Sequence, residues 1–257
     1  MKNESVSIDW HQWLRRWAAQ QAGYLPHREA RFSAMLDALA VLLPEEFVAV
    51  DLASGPGAVS QRLLSRFPKA RCIAVDIDPV LLALGRGSLG DMGGRLRWVE
   101  ADLMTADLPS LLGEPRVDAV LSTTALHWLP SERLVQVYRQ LGRIVRPEGL
   151  VLNGDNIPFT RHLTSFQRLA DVIKKQQQTD AFERRGVEDW ATWWSALTKE
   201  PGIGALMAEW ERRFADKPRD WAEPLLDLHE AGLLDAGFRE VGVIWQHMDD
   251  RVVMAVR

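Results

Sequence analysis

Two kinds of hydrophobic spacing divide the chain. Between residues 8 and 44, apolar side chains recur every three or four positions, which predicts two helices. From residue 47 onward, short apolar runs alternate with helical patterns, and this alternation predicts a parallel sheet with helices on both faces. The predicted strands are 47–52, 71–75, 96–99, 117–122 and 149–152, and the predicted helices between them are 59–67, 79–84 and 134–145.

The pattern changes after residue 153, where about sixty residues carry helical signals only. Within this insertion Trp190, Trp193, Trp194 and Leu197 fall at helical spacing, which predicts the buried face of one helix. Near the end of the chain, the strand-like runs EVGVIWQH and RVVMAVR flank the short turn MDD. This close spacing predicts an antiparallel hairpin.

Composition narrows the class of protein. The hydrophobic fraction of 47% and the charged fraction of 26% are ordinary for a globular chain, and no apolar run is long enough to cross a bilayer. The first ten residues lack the apolar segment of a secretory signal, and the single cysteine, Cys72, lies in an apolar stretch. We therefore expect a cytoplasmic location and a buried thiol. The net charge of −4 provides no basic surface for nucleic acid, so we expect neither nucleic acid nor membrane as a partner.

The stretch VAVDLASGPGAVS, residues 48–60, joins a strand to an acid and a glycine turn. Gly55 and Gly57 allow the backbone to turn tightly and to approach a ligand closely. Asp76 ends the next strand, nineteen residues after Gly57, a position that suits a carboxylate bonded to ribose hydroxyls. These features indicate a nucleoside-containing cofactor. A dinucleotide pattern has a third glycine where this chain has Ser60, and Asp51 would repel a pyrophosphate but suit a cationic group.

The ordered motifs resemble those of the class I S-adenosylmethionine-dependent methyltransferases over roughly residues 30–155 and 225–257. DLASGPG resembles the first motif of that family, with Ala53 in place of the family's first glycine. The later motifs are AVDIDP, VEADL, VDAVLSTTALHWL, RIVRPEGLVL and the closing AGFREVGVIW with RVVMAVR. The resemblance implies an α/β fold that is Rossmann-like and doubly wound, with a mostly parallel seven-stranded sheet, a C-terminal antiparallel hairpin and a helical lid.

The same resemblance implies one methyltransferase domain over residues 1–257. Its parts are an N-terminal helical cover (1–44), a cofactor-binding core (45–157), a helical lid insertion (158–220) and a closing helix with antiparallel strands (221–257). The lid helix that contains the tryptophans is expected over the substrate side of the crevice.

The resemblance also implies which residues contact S-adenosylmethionine. Asp51 would complement the methionyl ammonium directly or through water, Asp76 would bind the ribose, and Asp102 would contact the adenine amino group. The other implied cofactor contacts are Ala53, Gly55, Gly57, Ile77, Leu103 and Ser122. An alternative for Asp51 is that its carboxylate only caps the turn or the helix.

His127 is the candidate catalytic residue. It follows the fourth predicted strand, and the ordinary pKa of histidine suits a base that removes a proton from the acceptor. The alternative is that His127, beside Trp128, forms only a wall of the pocket. The lid and the TTALHW segment resemble trans-aconitate and malonyl-acyl-carrier-protein methyltransferases, which implies methyl transfer to a carboxylate or hydroxyl oxygen of a small molecule.

Other interpretations stay open at this point. A nicotinamide-dependent oxidoreductase and a non-catalytic S-adenosylmethionine-binding protein are the alternative functions. Five insertion arginines either clamp a substrate carboxylate or form solvated helix faces paired with acids; they are Arg161, Arg184, Arg185, Arg212 and Arg213. His11, His162 and His229 show no metal-ligand spacing with Cys72, so no metal site is predicted.

Overall fold

A seven-stranded sheet forms the centre of the computed structural model, which describes residues 8–215 and 223–257. The strands are β1 (Val48–Leu52), β2 (Arg71–Asp76), β3 (Leu96–Glu100), β4 (Val117–Thr123), β5 (Val145–Asn156), β6 (Glu240–His247) and β7 (Asp250–Val256). Their order is β3-β2-β1-β4-β5-β7-β6. Strands β1 to β5 run parallel, and β7 is antiparallel to both β5 and β6. The predicted fold class, including the closing hairpin, is confirmed.

Helices cover both faces of this sheet. In the described residues they are α1 (Trp10–Tyr24), α2 (Arg28–Leu42), α3 (Ala58–Arg66), α4 (Pro79–Leu89), α5 (Leu108–Leu112), α6 (Ser131–Ile144), α7 (Thr164–Thr179), α8 (Trp190–Leu197), α9 (Gly204–Phe214) and α10 (Leu226–Asp235). The two helices predicted before the first strand are α1 and α2. Helices α3, α4 and α6 correspond to the three predicted between strands, with boundaries that differ by a few residues.

The alternation of side chains along the strands builds two apolar layers. Val50 and Leu52 on β1 point to the face covered by α6 and α10, whereas Ala49 points to the face covered by α2 and α3. Cys72 lies on the second face and is 1% exposed, as expected for a structural thiol. Because both faces are covered, the open crevice of the sheet lies at the strand ends, where ligands bind in this class of fold.

Strand β5 is longer than its apolar pattern predicts. The prediction covered 149–152, but β5 pairs with β7 as far as Asn156, which lies opposite Asp250. Asn153 and Asp155 interrupt the hydrophobic pattern, although both side chains are buried. The prediction therefore ends this strand too early. In the structure β5 continues, with buried polar side chains, to its carboxyl end.

A tryptophan cluster joins the insertion to the N-terminal helices. Trp193, Trp194 and Leu197 on α8 are buried against α1 and α4, where Trp13 and Trp17 make edge contacts with Trp193. These three α8 positions confirm the predicted buried face. The prediction is wrong at the first residue of α8, Trp190, which is 42% exposed because neighbouring rings cover it only in part.

Some expectations from the sequence concern residues that the structure does not describe. They are the first seven residues of the polar N-terminal stretch and the boundary between lid and closing segment at 220 and 221. The division into cover, core, lid and closing segment stays a prediction. Among the helices described, none is long and apolar enough to cross a membrane.

Candidate active site

The turn after β1 places three residues in the left-handed backbone region. The φ angles are 55° at Ala53, 53° at Gly55 and 84° at Gly57, the N-cap residue of α3. A Cβ on Gly57 would lie 2.7 Å from the ring of Trp98, so packing requires glycine there. At Gly55 the nearest atom to such a Cβ is 3.8 Å away, on Leu81. The turn therefore leaves open space beside Gly55, at the carboxyl end of β1.

Asp51 lies beneath this turn and is 1% exposed. Its Oδ2 accepts hydrogen bonds from the Ser60 amide at 2.9 Å and from the Ser60 hydroxyl at 2.7 Å, which caps the first turn of α3. Burial raises the pKa of Asp51 to about 6, against the opposing effect of the Ser60 hydrogen bonds. The helix cap that was the alternative interpretation is therefore present. A role toward a ligand ammonium stays a prediction.

Asp76 connects the glycine turn to the start of α4. Its Oδ2 accepts a hydrogen bond from the Gly55 amide at 2.6 Å, and its Oδ1 accepts one from the Asp78 amide at 2.8 Å. Burial raises the pKa of Asp76, while these backbone hydrogen bonds oppose the increase. The backbone of Ile77 also contributes a hydrogen bond to this carboxylate. Because a carboxylate has about four lone pairs, acceptor capacity for ribose hydroxyls remains. The predicted ribose contact is chemically possible and stays a prediction.

The remaining predicted cofactor residues differ in accessibility. Ile77 and Asp102 are half-buried at the ends of β2 and β3, and Asp102 Oδ1 accepts a hydrogen bond from the Met104 amide at 2.9 Å. Leu103 is buried in the core beside the sheet. The hydroxyl of Ser122 is buried and donates to the Leu52 carbonyl at 2.8 Å. Ile77 and Asp102 are thus better placed than Leu103 and Ser122 to contact a ligand.

His127 follows β4 on a short 3₁₀ turn, Leu126–Trp128. Its Nδ1 lies 2.7 Å from Asp155 Oδ1, and its amide donates to Asp155 Oδ2 at 3.2 Å. An ionised Asp155 accepts the Nδ1 proton, so the lone pair of the imidazole is on Nε2. The Asp155 side chain is 1% exposed, whereas that of His127 keeps 15% of its area exposed. This geometry suits a base oriented by a buried acid, and the catalytic role of His127 stays a prediction.

The two members of this pair shift each other's pKa in opposite directions. Burial lowers the pKa of His127, but the Asp155 carboxylate outweighs burial, so the pKa lies above its ordinary value. Burial alone would raise the pKa of Asp155, but the His127 imidazole and the Arg31 guanidinium bring it below its ordinary value. Asp155 therefore stays anionic at neutral pH.

Arg31 supports this region from α2 and is 1% exposed. Its Nη1 donates to the Gly154 carbonyl at 2.8 Å and to the Thr124 hydroxyl at 2.7 Å, and its Nη2 lies 2.6 Å from Asp250 Oδ1. Sequence reasoning missed Arg31, Asp155 and Asp250. The signal that could have found Asp155 is an acid at a buried strand position, because a buried charge requires a partner.

Most of the insertion arginines that were considered as carboxylate clamps contact acids of this chain instead. Arg185 lies 2.9 Å from Asp180, and Arg212 lies 2.6 Å from Glu209. Arg213 is 2.5 Å from Glu209 and 2.5 Å from Glu100 on β3. The paired interpretation is confirmed for these three arginines. Arg161 and Arg184 are exposed.

The histidines outside the His127 pair do not assemble a metal site. Within residues 8–215 and 223–257, no group of three or more histidine, cysteine or acidic side chains is arranged to hold a metal ion. His229 is buried, and its Nδ1 lies 2.6 Å from the Tyr138 hydroxyl. Burial lowers the pKa of His229 to about 4, so this histidine is neutral at physiological pH.

Part of this chain is similar to known methyltransferases. Residues 49–149, from β1 to the first part of β5, match the family model described as a methyltransferase domain. An uncharacterized methyltransferase of Mycobacterium tuberculosis is 35% identical over 118 residues, covering 46% of this chain and 54% of the relative. Trans-aconitate 2-methyltransferase of Azoarcus sp. is 32% identical over 136 residues, covering 52% and 49% respectively. The chain thus spans about half the length of the curated relatives it matches.

A solved structure extends the likeness of the fold to nearly the whole chain. Magnesium protoporphyrin IX methyltransferase from Synechocystis superposes with a TM-score of 0.56 and 14% identity, covering 96% of this chain and 93% of that enzyme. None of these comparisons supports the alternative of a nicotinamide-dependent oxidoreductase or of a non-catalytic binding protein. Residues 49–149 thus match a methyltransferase domain, and the fold of the chain is similar to that of a solved methyltransferase.

Proposed function

We propose that this protein transfers a methyl group from S-adenosylmethionine to an oxygen atom of a small molecule. The observation that carries the proposal is the arrangement of two sets of residues along one edge of the sheet. The turn at Gly55 and the acids Asp76 and Asp102 lie at the ends of β1 to β3. The pair His127 and Asp155 lies at the ends of the neighbouring strands β4 and β5. The proposal is that this edge combines a nucleoside site with a base.

The residues present fit S-adenosylmethionine. Asp76 and Asp102 are acceptors that suit the hydroxyl and amino donors of an adenosine. Asp51 is a buried acid whose raised pKa reflects burial, and its interactions in the described residues are with Ser60 and Asp76 rather than with a cation. A ligand ammonium nearby would favour its ionised form. The Synechocystis methyltransferase, which has a similar fold, was solved with bound S-adenosylhomocysteine.

The chemistry of the acceptor half follows from the tautomer of His127. Bound S-adenosylmethionine supplies an electrophilic methyl group on a positively charged sulfur. Asp155 fixes the Nδ1 proton of His127, so Nε2 would accept the proton of the acceptor hydroxyl. The methyl group would pass to that oxygen as its bond to sulfur breaks, which leaves S-adenosylhomocysteine. Positioning of the two reactants by the crevice would supply much of the rate enhancement.

This pair favours a hydroxyl acceptor over a carboxylate. A carboxylic acid is already an anion at neutral pH and releases no proton on methylation, so it needs no base. A hydroxyl group must lose its proton, which is the step that a histidine oriented by a buried acid assists. The trans-aconitate methyltransferases among the relatives, as their name states, act on a carboxylic acid. The acceptor proposed here therefore differs from the one that their name gives.

Calorimetric titration tests the cofactor directly. The purified chain is titrated with S-adenosylmethionine, S-adenosylhomocysteine and NADH under identical conditions. The proposal predicts micromolar binding of the first two and no binding of NADH. Binding of NADH alone would contradict both the interpretation of Asp51 and the proposed reaction.

Release of S-adenosylhomocysteine tests the acceptor class. Phenols and hydroxy acids are compared with carboxylic acids that lack a hydroxyl, at equal concentrations, and mass spectrometry identifies the methylated atom. Turnover confined to the hydroxyl-free acids would contradict the role proposed for the His127 and Asp155 pair.

The net charge of −4 and the absence of a membrane-spanning helix among the described residues support the further proposal of a cytoplasmic enzyme that acts on neither nucleic acid nor membrane.

A further inference from the structure

Helix α9 lies across the nucleoside end of the proposed cofactor site. The Arg213 Nη1 donates to the Ile77 carbonyl at 2.8 Å, and its Nη2 lies 2.5 Å from Glu100 Oε1. The indole Nε1 of Trp210 donates to Asp78 Oδ2 at 2.9 Å. Ile77 and Asp78 directly follow Asp76, and Glu100 ends β3 two residues before Asp102. One helix therefore bridges the two strand ends that carry the predicted ribose and adenine contacts.

The attachment of α9 differs from that of its neighbour α8. On α8 the side chains of Trp193, Trp194 and Leu197 are buried in the tryptophan cluster. No residue of α9 is buried, although Trp210 stacks on Trp194 with ring centroids 5.0 Å apart. Leu206, Met207 and Trp210 of α9 pack against the tryptophan cluster but stay partly exposed. Because α9 buries less apolar surface than α8, its polar contacts contribute a larger part of the free energy that holds it closed. For α9 the contacts that reach the sheet edge come from Arg213 and Trp210.

Asp78 shows how closely α9 is joined to the cofactor side. Its Oδ1 caps α4 by accepting hydrogen bonds from the Val80 and Leu81 amides, and its Oδ2 accepts the Trp210 indole proton. Asp78 is 8% exposed, because Trp210 and α4 enclose it. Release of α9 would return the Asp78 carboxylate and the Ile77 carbonyl to solvent, where water replaces the lost donors.

We propose that α9 is a gate on the nucleoside end of the cofactor site, and that Arg213 and Trp210 are positioning residues that hold it closed. This inference rests on the proposed function. Cofactor enters and leaves when α9 detaches from Ile77, Asp78 and Glu100, while α8 stays packed in the tryptophan cluster. The two side chains therefore set the rate of cofactor exchange.

Exchange kinetics distinguish a gate from a fixed wall of the pocket. Association and dissociation rate constants of S-adenosylhomocysteine are measured by surface plasmon resonance for the wild type, Arg213→Ala and Arg213→Lys. A gate predicts that Arg213→Ala increases both rate constants by about tenfold, the factor expected for loss of a charge-assisted contact. Arg213→Lys, which restores the charge, is expected to give intermediate rates. Trp210→Phe, which keeps the ring, should also increase both rates.

Arg212→Ala is the matched control, because Arg212 pairs with Glu209 on the same helix. Its exchange rates should equal those of the wild type. Unchanged rates in Arg213→Ala would overturn the gate. Faster dissociation with unchanged association would also overturn it, since a pocket wall behaves in this way. Failure of the wild type to bind S-adenosylhomocysteine would contradict the proposed function itself.

Hydrogen exchange of the ligand-free protein provides a second measurement that needs no cofactor. Arg213→Ala should accelerate amide exchange in residues 204–214 about tenfold and leave residues 190–197 unchanged. Equal exchange of residues 204–214 in the wild type and in Arg213→Ala would overturn the gate. Equal acceleration in both segments would overturn it as well, because the insertion would then loosen as one unit.

Discussion

The two halves of the crevice are built in different ways. In the half formed by β1 to β3, carboxylates bind backbone amides: Asp51 binds Ser60 and Asp76 binds Gly55, with partners at most 21 residues apart. In the half formed by β4 and β5, side chains from distant segments meet, and Arg31 reaches Gly154 across 123 residues. The first half is a local motif that can be recognised in the sequence. The second half exists only after the sheet has formed.

The two halves of the crevice also differ in how their buried acids are neutralised. Burial raises the pKa of Asp51 and Asp76, because their partners are amides and hydroxyls rather than cations. Asp155 is equally buried, but its pKa lies below the ordinary value because His127 and Arg31 lie beside it. The half formed by β1 to β3, the proposed cofactor half, thus carries acids whose ionised form a cationic ligand would stabilise. In the half formed by β4 and β5, the proposed acceptor half, cationic side chains of the protein itself balance the buried acid.

The largest effect that we expect concerns turnover. His127→Ala should lower the rate with a hydroxyl acceptor by about 10²-fold to 10⁴-fold, the usual contribution of a general base, and leave the affinity for S-adenosylhomocysteine unchanged. Steady-state kinetics with calorimetry on the same preparation measure both quantities. Full activity of this variant across pH would exclude His127 as the base.

Asp155→Asn tests the orienting acid with a nearly isosteric side chain. The pKa of His127 lies above its ordinary value of 6.5 because of the Asp155 carboxylate, so the variant should lower that pKa. The rate falls as the pH decreases through the pKa of the base, so the acidic limb of the rate profile should move to lower pH in the variant. Proton NMR titration of His127 reports the same change without an acceptor. Asp171→Asn, at an exposed acid on α7, is the control.

The next largest effect concerns stability of the acceptor half. Arg31→Met leaves Asp250 and Asp155 buried without their cation, and the free energy of unfolding should fall by about 3–5 kcal/mol. Arg66→Met removes an exposed partner of Asp37 and should cost about 1 kcal/mol or less. Urea denaturation of both variants gives the comparison. Equal losses would show that the Arg31 ion pair contributes no more than a surface pair.

A smaller effect is expected at Asp51, where pH matters. The pKa of its carboxyl is about 6 in the folded protein and 3.8 in a model compound, so the folded state binds more protons between these values. This group therefore removes stability as pH rises from about 4 to about 6. Asp51→Asn should be more stable relative to the wild type at pH 7 than at pH 4, by about 1–3 kcal/mol.

Ser60→Ala sharpens this test of Asp51. The Ser60 hydroxyl donates to Asp51 and lowers the pKa of the carboxyl, so its removal should steepen the loss of stability between pH 4 and pH 7. Urea denaturation at the two pH values measures all three proteins. A pH dependence identical in the wild type and Asp51→Asn would contradict the assignment.

The sequence predicted the features that depend on neighbours along the chain. Periodicity located the strands and helices, and the spacing between Gly57 and Asp76 indicated a nucleoside site, because a strand and the turn that follows it are local structures. It did not predict the partners of His127. Asp155 falls on a strand whose apolar pattern ends earlier, and Arg31 lies on a helix that also carries the exposed acids Glu29 and Asp37. Only the tertiary fold distinguishes a buried arginine from an exposed one.

The affinity of S-adenosylhomocysteine for Asp76→Ala and His127→Ala, measured side by side by calorimetry, tests the division of the crevice most directly. Loss of the acceptor at Asp76 should weaken binding by about 1–3 kcal/mol, a factor of about 5 to 150, because ribose hydroxyls lose a charged partner. His127→Ala should bind as the wild type does, because His127 belongs to the acceptor half. Wild-type affinity in Asp76→Ala, or weakened binding in His127→Ala, would contradict the separation into a cofactor half and an acceptor half.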